Sequence, residues 1–149
     1  MRYIGDGSLR DDPDQLRATL EVLESKAAEH PGFGLVVAHE RESGAFVGWA
    51  ALKPLDGREE FEVGYRLARA SWGQGFATEL AEVLVAHGFA TMGLELIVGI
   101  THPGNGASQR VLEKAGLRRV QDDHCYGQPV WRYELARTDW ERPDPGARR

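Results

Sequence analysis

Gly73-Gln74-Gly75 is the stretch of this chain whose residue types most directly suggest chemistry. The small residue Ala77 follows, and then a run that reads as a helix from Phe76 to Met92. Glycine serves where backbone must turn tightly or approach something closely. The first turn of a helix carries unpaired N–H groups and the positive end of the helix dipole. Stripped of side chains, such a turn can receive a phosphate-bearing ligand. The alternative is that the glycines only permit a tight turn and close packing of helix on sheet; the loop alone does not choose. It is not a P-loop, because no Gly-Lys-Ser/Thr ending follows, and Thr78 stands where the dinucleotide fingerprint needs its third glycine.

A second set of candidates can move protons. Glu60 and Glu62 share one face of the run "EFEVGYRL", opposite Phe61, Val63, Tyr65 and Leu67. This face is either a solvated strand surface or the wall of a site. His124 and Tyr126 lie near the end of the chain and could line such a site. His102, beside Pro103, reads as a loop residue, and Trp49 and Trp131 as core. Cys125 is the single cysteine, so no internal disulfide forms; a lone cysteine can be a nucleophile, but this one reads better as a small half-buried strand residue. No metal-ligand spacing surrounds it.

These residues need elements to hold them. "RDDPDQLRATLEVLESKAAEH" reads as an amphipathic helix, with Asp12 as cap, Pro13 at the first helical position and Gln15 completing the capping box. Leu16, Leu20, Leu23 and Ala27 form its apolar stripe, and Pro31-Gly32 ends it. "FGLVVAHE" and "AFVGWAAL" read as a hairpin around "RESG", followed by the loop "KPLDGRE" and the alternating strand from Glu60 to Leu67. In the helix after the glycine loop, Leu80, Leu84 and Phe89, with Ala77 and Ala81, make the buried stripe, and Gly93 closes it. "LELIVGIT" is a nearly continuous apolar run, the mark of a central strand covered on both faces. "ASQRVLEKAG" is a short helix, and "LRRVQDDHCY" and "VWRYELAR", joined by "GQP", are a final strand pair. The order predicts an α/β (α+β) domain over residues 1–136. Its sheet is mixed, with a right-handed parallel strand–helix–strand crossover from Glu60 to Thr101. Residues 137–149 read as a polar tail without structure.

The 149 residues suffice for one domain with a real core. No run of 18 apolar residues occurs and the first residues lack the apolar centre of a signal peptide, so a cytoplasmic protein is expected. The net charge of −5 and the lack of a lysine/arginine block, apart from the terminal "GARR", give nucleic-acid binding little support. An acidic surface suits an amine-bearing partner.

"EVGYRLARASWGQGFATELAEVL", with "NGASQRVLEKAGL" thirty residues after Gly75, resembles the GNAT superfamily of acetyl-CoA-dependent N-acetyltransferases, in particular its Rim-type branch, which acetylates protein N-termini. The family's loop pattern, Arg/Gln-x-x-Gly-x-Gly/Ala, falls on Trp72, Gly73, Gln74, Gly75, Phe76 and Ala77; tryptophan at the first position is usual in the Rim-like branch. Its second motif falls on Asn105, Ser108, Glu113, Lys114 and Gly116. The resemblance runs weakly over residues 2–136 and strongly over 60–117. It implies a three-layer fold with helices on both faces of the sheet. It also implies acetyl-CoA as the acetyl donor, with its pyrophosphate on the loop from Trp72 to Thr78 and its pantetheine arm paired with backbone at Leu67 and Ala68. One of the two N–H groups there would polarise the thioester carbonyl.

The resemblance also implies roles for side chains. Many superfamily members protonate the leaving thiolate with a tyrosine, but Leu112 stands at that position. The Rim-type branch offers Ser108 instead, whose other roles would be helix capping or a hydrogen bond to the cofactor. Asn105 would orient cofactor and backbone. Glu62, where related enzymes place a carboxylate, would be the base, with Glu60, His124 and Tyr126 on the acceptor side. The expected function is direct acetyl transfer to a primary amine, a peptide N-terminus or a small amine; the alternative is an acyl-CoA-binding module with little or no turnover. An α-amine of pKa about 7.7–8.0 is roughly a tenth neutral at pH 7, whereas a lysine near 10.4 is neutral only about once in 2,500. The chemistry therefore favours an α-amine or a small amine of low pKa. Family members normally begin with a strand and helix before "RYIG", a region in which this chain already starts at Met1. Either the start is cut short or this member lacks the first strand; in the second case the sheet would expose an edge, which a homodimer could cover.

Overall fold

The computed structural model describes residues 34–140, together with Asp14, Ala18, Leu20, Glu21, Val22, Glu24, Ser25 and Ala28, all eight of which are helical. The capping residues Asp12, Pro13 and Gln15, the region before β1 and the last nine residues lie outside the described ones.

Six strands form one sheet: β1 (Gly34–His39), β2 (Phe46–Pro54), β3 (Phe61–Leu67), β4 (Leu96–Thr101), β5 (Arg118–Cys125) and β6 (Gln128–Ala136). Their spatial order is β1-β2-β3-β4-β6-β5. Helix α1 (Phe76–Ala90) connects β3 to β4, and α2 (Gly106–Lys114) follows β4. Every neighbouring pair is antiparallel except β3 and β4. This is the mixed sheet with one parallel crossover that the order of patterns predicts.

The parallel pair is unusual in its extent. Only Phe61 and Glu62 pair with Ile97 and Val98. β3 runs on to Leu67 and β4 to Thr101, each bound along its whole length to its outer neighbour, β2 and β6 respectively. The two strands therefore part after one turn of ladder. Among the described residues no strand pairs with the inner edge of β3 beyond Glu62, and two cavities open at this gap.

Helix α1 lays Leu80, Ala81, Leu84, Val85 and Phe89 on a core with Leu52, Val63, Leu67, Ile97 and Tyr133. Gly88 permits the close approach, since a Cβ there would stand 2.8 Å from side-chain carbons of both Leu52 and Ile97. On the opposite face, Leu20 of the N-terminal helical residues packs with Trp49 and Ala51. Beside them Leu55, Val98, Cys125 and Val130 form a smaller cluster.

Two boundaries differ from the sequence reading. Strand β5 stops at Cys125 and β6 starts at Gln128, because Tyr126 and Gly127 take positive φ and form the turn. The structure also continues past Ala136: Arg137–Asp139 make a 3-10 turn and Trp140 stacks on Phe89, ring centroids 5.3 Å apart. The polar composition of the tail hid this one aromatic anchor.

Between β1 and β2, Ala38 faces Gly48 while His39 faces Phe46, so Val47 is an extra, bulged residue. The bulge folds Gly48 against β3, where a Cβ would lie 2.2 Å from the Arg66 carbonyl oxygen and 2.7 Å from the Leu67 Cα. Backbone cannot move aside as a flexible side chain can. Gly48→Ala should cost about 3 kcal/mol, the upper part of the overpacking range, and lower the melting temperature by roughly 6–12 °C. A melt at the wild-type temperature would mean that β2 and β3 lie farther apart than described.

Candidate active site

Two cavities meet at the splay. One, of about 500 Å³, runs from Tyr65 and Leu67 to Trp72, Gly73, Gly75, Ala77 and the α2 side chains Arg110 and Lys114. The other, of about 370 Å³, lies on the opposite side of β3 and is lined by Trp49, Lys53, Glu62, Gly64, His102 and Tyr126, among others. Tyr65, Asn105 and Ser108 line both, so they form the wall between them.

The glycine loop has the geometry that its sequence demands. Gly73 and Gly75 have φ of +74° and +82°, left-handed values that side chains disfavour. A Cβ added at either would meet nothing within 4 Å. Packing against the sheet is therefore not what requires these glycines; the turn conformation and the open space are. Among the described residues no acceptor takes a hydrogen bond from the backbone N–H of Gly73, Gln74, Gly75, Phe76 or Ala77. Trp72 braces the loop by donating its indole N–H to the Leu67 carbonyl at 3.1 Å. Its ring also lies under the Arg69 guanidinium, 5.3 Å from the centroid.

The two backbone candidates before the loop separate. The Ala68 N–H donates to the Val47 carbonyl at 2.8 Å, so it is turned into the sheet and is not available as an oxyanion donor. Successive residues of a strand point their backbone groups to opposite edges. The N–H of Leu67 therefore faces the gap.

Asn105 and Ser108 also differ from expectation. Asn105 is the cap of α2, its Oδ1 accepting the Ser108 N–H at 3.1 Å. This leaves the Ser108 hydroxyl for another partner, and it lies 2.7 Å from the Tyr65 hydroxyl. Burial pushes the Tyr65 phenol up to about 12, against the downward pull of the serine bond. Tyr65 is thus protonated throughout the neutral range. Leu112 is buried and offers no proton, so the hydroxyl pair comes from β3 and the start of α2. Strand alternation assigned Tyr65 to the core face, where it does lie; the splay of β3 from β4 is what exposes its hydroxyl end to the cavities.

Glu62 and Glu60 part company as well. Glu62 is 6% exposed and lines the second cavity. It accepts a 2.6 Å hydrogen bond from the Tyr126 hydroxyl and pairs with the Lys53 ammonium at 3.4 Å. Burial pulls the Lys53 amine down, but Glu62 and Tyr126 together hold it above its ordinary value. Glu60 does not line the cavity; it is bound by the Arg132 guanidinium, which holds its carboxyl below the usual range. Arg132 also binds Glu134 at 2.6 Å. Glu60 is thereby an ion-pair residue and not an acceptor-side group. His124 is exposed on β5, and its backbone bonds Asp123 and Arg58; it too lies off the cavity lining. His102, read as a loop residue, does line the cavity, with Nδ1 accepting the Gly104 N–H at 3.1 Å. Trp49 is both core and cavity wall. Cys125 is buried, and burial pushes its thiol up, so it is not poised as a thiolate.

Lys53, Asp56 and Tyr65 are the residues of this site that sequence reasoning missed. Lys53 and Asp56 sat in the loop "KPLDGRE"; only the Asp-Gly turn signal marked the place. Among the described residues no group of three or more His, Cys, Asp or Glu could hold a metal ion.

The sequence pattern of the acetyltransferase (GNAT) domain matches residues 1–118 of the chain. The chain belongs to this family. It is a transferase of the acyl-transferring class, and acetyl-CoA is the acetyl donor of GNAT acetyltransferases. The domain is 30% identical over 141 residues to the uncharacterized protein YkkB of Bacillus subtilis, covering 86% of this chain and 82% of that one. It is 33% identical over 132 residues to the FsC-acetyl coenzyme A-N(2)-transacetylase of Aspergillus fumigatus, covering 78% of this chain and 55% of the fungal protein. Among solved structures, the ribosomal-protein-S5-alanine acetyltransferase of Vibrio fischeri superposes with a TM-score of 0.67 at 18% identity, over 85% of this chain and 72% of that one. At that identity the likeness shows the GNAT fold. No helix among the described residues of this acetyltransferase domain is long and apolar enough to cross a membrane.

Proposed function

We propose that this acetyltransferase moves an acetyl group from acetyl-CoA to a primary amine within a ternary complex. The carrying observation is the Tyr65–Ser108 hydroxyl pair in the wall shared by two cavities, one ending at the glycine loop and the other at Glu62. Two substrates can thus meet across one pair of proton donors.

The loop fits coenzyme A. N–H groups that find no acceptor among the described residues, at a helix N-terminus and beside two glycines with open space, suit a pyrophosphate. Gly73, Gln74, Gly75, Phe76 and Ala77 would hold it, with Trp72 bracing the loop and Thr78 in its first turn. The inward N–H of Leu67 would bind the pantetheine arm or the thioester carbonyl, and Ala68 would only anchor that segment to β2. When bound, acetyl-CoA supplies a thioester whose acyl group a neutral amine can take.

Glu62 would accept the proton that the amine loses as the N–C bond forms and the C–S bond breaks. Ser108, backed by Tyr65, would return a proton to the departing sulfur. Asn105 serves the helix that carries Ser108. Tyr126 stands on the acceptor side of Glu62. The acceptor class we favour is an α-amine, of a peptide N-terminus as in the Rim-type branch or of a small molecule. Such an amine is partly neutral at pH 7 and asks least of a single carboxylate.

A thiol-release screen of short peptides, amino-acid amides, polyamines and aminoglycosides with acetyl-CoA tests this reading. Turnover should appear with α-amines, and double-reciprocal plots against both substrates should intersect. Binding of acetyl-CoA with no thiol release above hydrolysis for any amine would leave only a binding module. Ser108→Ala should lower kcat by about 10²-fold, the low end of a general-acid contribution, while acetyl-CoA still raises the melting temperature. An unchanged kcat would reduce Ser108 to part of the wall.

A further inference from the structure

Tyr126 stands where a tight turn ordinarily takes Asn, Asp or Gly. With Gly127 it forms the two-residue loop between β5 and β6, at φ of +53° and +73°. Positive φ at both loop positions favours Asn-Gly or Asp-Gly, and a bulky side chain there is strained. Asp56 and Gly57 make a second turn with positive φ, at +42° and +73°, closed by the Arg58 N–H on the Leu55 carbonyl at 2.7 Å. There aspartate is the ordinary choice. Among the described residues Asp56 and Tyr126 are the two non-glycine positions with positive φ.

These two residues hold each other. The Tyr126 N–H donates to Asp56 Oδ2 at 2.8 Å, and the Asp56 N–H donates to the Tyr126 hydroxyl at 2.9 Å. The same hydroxyl accepts from Lys53 Nζ at 3.0 Å and donates its proton to Glu62 Oε2 at 2.6 Å. One proton given and two lone pairs filled exhaust a phenol. The residue is 46% exposed, so apolar burial is not what keeps a tyrosine in this turn. What the side chain reaches is the buried Glu62 carboxylate in the acceptor cavity.

We propose that Asp56 and Tyr126 are positioning residues for acetyl transfer: Asp56 clasps a strained tyrosine whose hydroxyl fixes the Glu62 carboxylate toward the acceptor amine. The proposal rests on the reading of Glu62 as the group that takes the amine proton. Backbone strain concentrates where the surrounding structure uses it. Here the hairpin would relax with asparagine, and the loss would fall on the three partners of the hydroxyl, of which Glu62 is the one that takes its proton.

Tyr126→Asn separates the two roles. It should leave the melting temperature equal or higher, because the turn relaxes, while turnover falls by about 10- to 100-fold, the scale of a misplaced reacting group. Asp56→Ala should reproduce the turnover loss of Tyr126→Phe, and the double variant should lose no more than either single one, as members of one unit do. Asp56→Asn keeps an oxygen for the Tyr126 N–H and tolerates the turn, and should restore most of the rate. A Tyr126→Asn protein that melts lower yet turns over at the wild-type rate would overturn the proposal, as would losses that multiply in the double variant.

A second measurement does not depend on turnover. Burial and the bond to Glu62 both hold the Tyr126 phenol above its ordinary value. Its titration, followed by carbon NMR of the labelled ring, should move down toward its ordinary value in Asp56→Ala, as the bond to Glu62 is lost. An unchanged titration would show that Asp56 does not hold the hydroxyl on Glu62. A wild-type protein that releases no thiol with any amine would remove the base reading of Glu62, and the phenol titration would still decide whether the clasp exists.

Discussion

Glu62→Gln should lower turnover by about 10²–10⁴-fold, the size of a general-base contribution, and leave acetyl-CoA binding nearly unchanged. Glutamine keeps the shape of the side chain and can still accept the Tyr126 hydroxyl proton. It cannot take the proton of an amine. The loop that would hold the cofactor lies along the other cavity, so its N–H groups are untouched by the substitution. The Lys53 ammonium loses its ion-pair partner at 3.4 Å, and Lys53→Met is the control for that side effect. Wild-type turnover should rise with pH between 6 and 9 as the α-amine loses its proton. If Glu62→Gln acetylates at the wild-type rate over that range, the carboxylate only holds Tyr126 and Lys53 in place. The acceptor would then have to arrive neutral.

Gly75→Glu should abolish the thermal stabilisation given by acetyl-CoA. At 100 times its dissociation constant a ligand stabilises the folded state by about 2.7 kcal/mol, or roughly 5–11 °C for a domain of this size. Gly75 has φ of +82° and is the cap residue of α1. Glutamate there would bring a carboxylate to the N–H groups that the pyrophosphate needs. The side chain competes for those donors and repels the anion as well. Gly75→Ala carries only the conformational cost, about 1 kcal/mol, and should keep most of the cofactor effect. If acetyl-CoA stabilises the glutamate variant as much as the wild type, the phosphate site lies elsewhere.

These two predictions draw on the sequence to different degrees. The glycine loop was legible because its signal is local. A left-handed turn needs glycine at Gly73 and Gly75, a helix N-terminus follows at once, and the N–H groups that would hold a pyrophosphate come from five consecutive residues. The buried stripe of α1 and the alternation of β3 were legible for the same reason, since each follows the period of one element. The bulge at Val47 was not, because it shows only against the register of β1. Trp140 was missed because composition averages over a tail, while packing depends on one ring meeting Phe89.

The sequence by itself determined the class of fold, the glycine turn at a helix N-terminus and its spacing from the Asn105–Ser108 motif. In each of these the physical demand is met within a single turn, strand or helix. The tertiary structure alone decided which acid and which hydroxyl face the cavities. Glu60 and Glu62 lie two residues apart on one side of a strand, and Arg132, 72 residues beyond Glu60, takes one of them out of the cavity. Tyr65 meets Ser108 across 43 residues, and Tyr126 meets Glu62 across 64. Such partners are fixed by the order of the strands and by the angle at which β3 and β4 part. No local pattern encodes that angle, because it results from each strand being held along its whole length by a different neighbour.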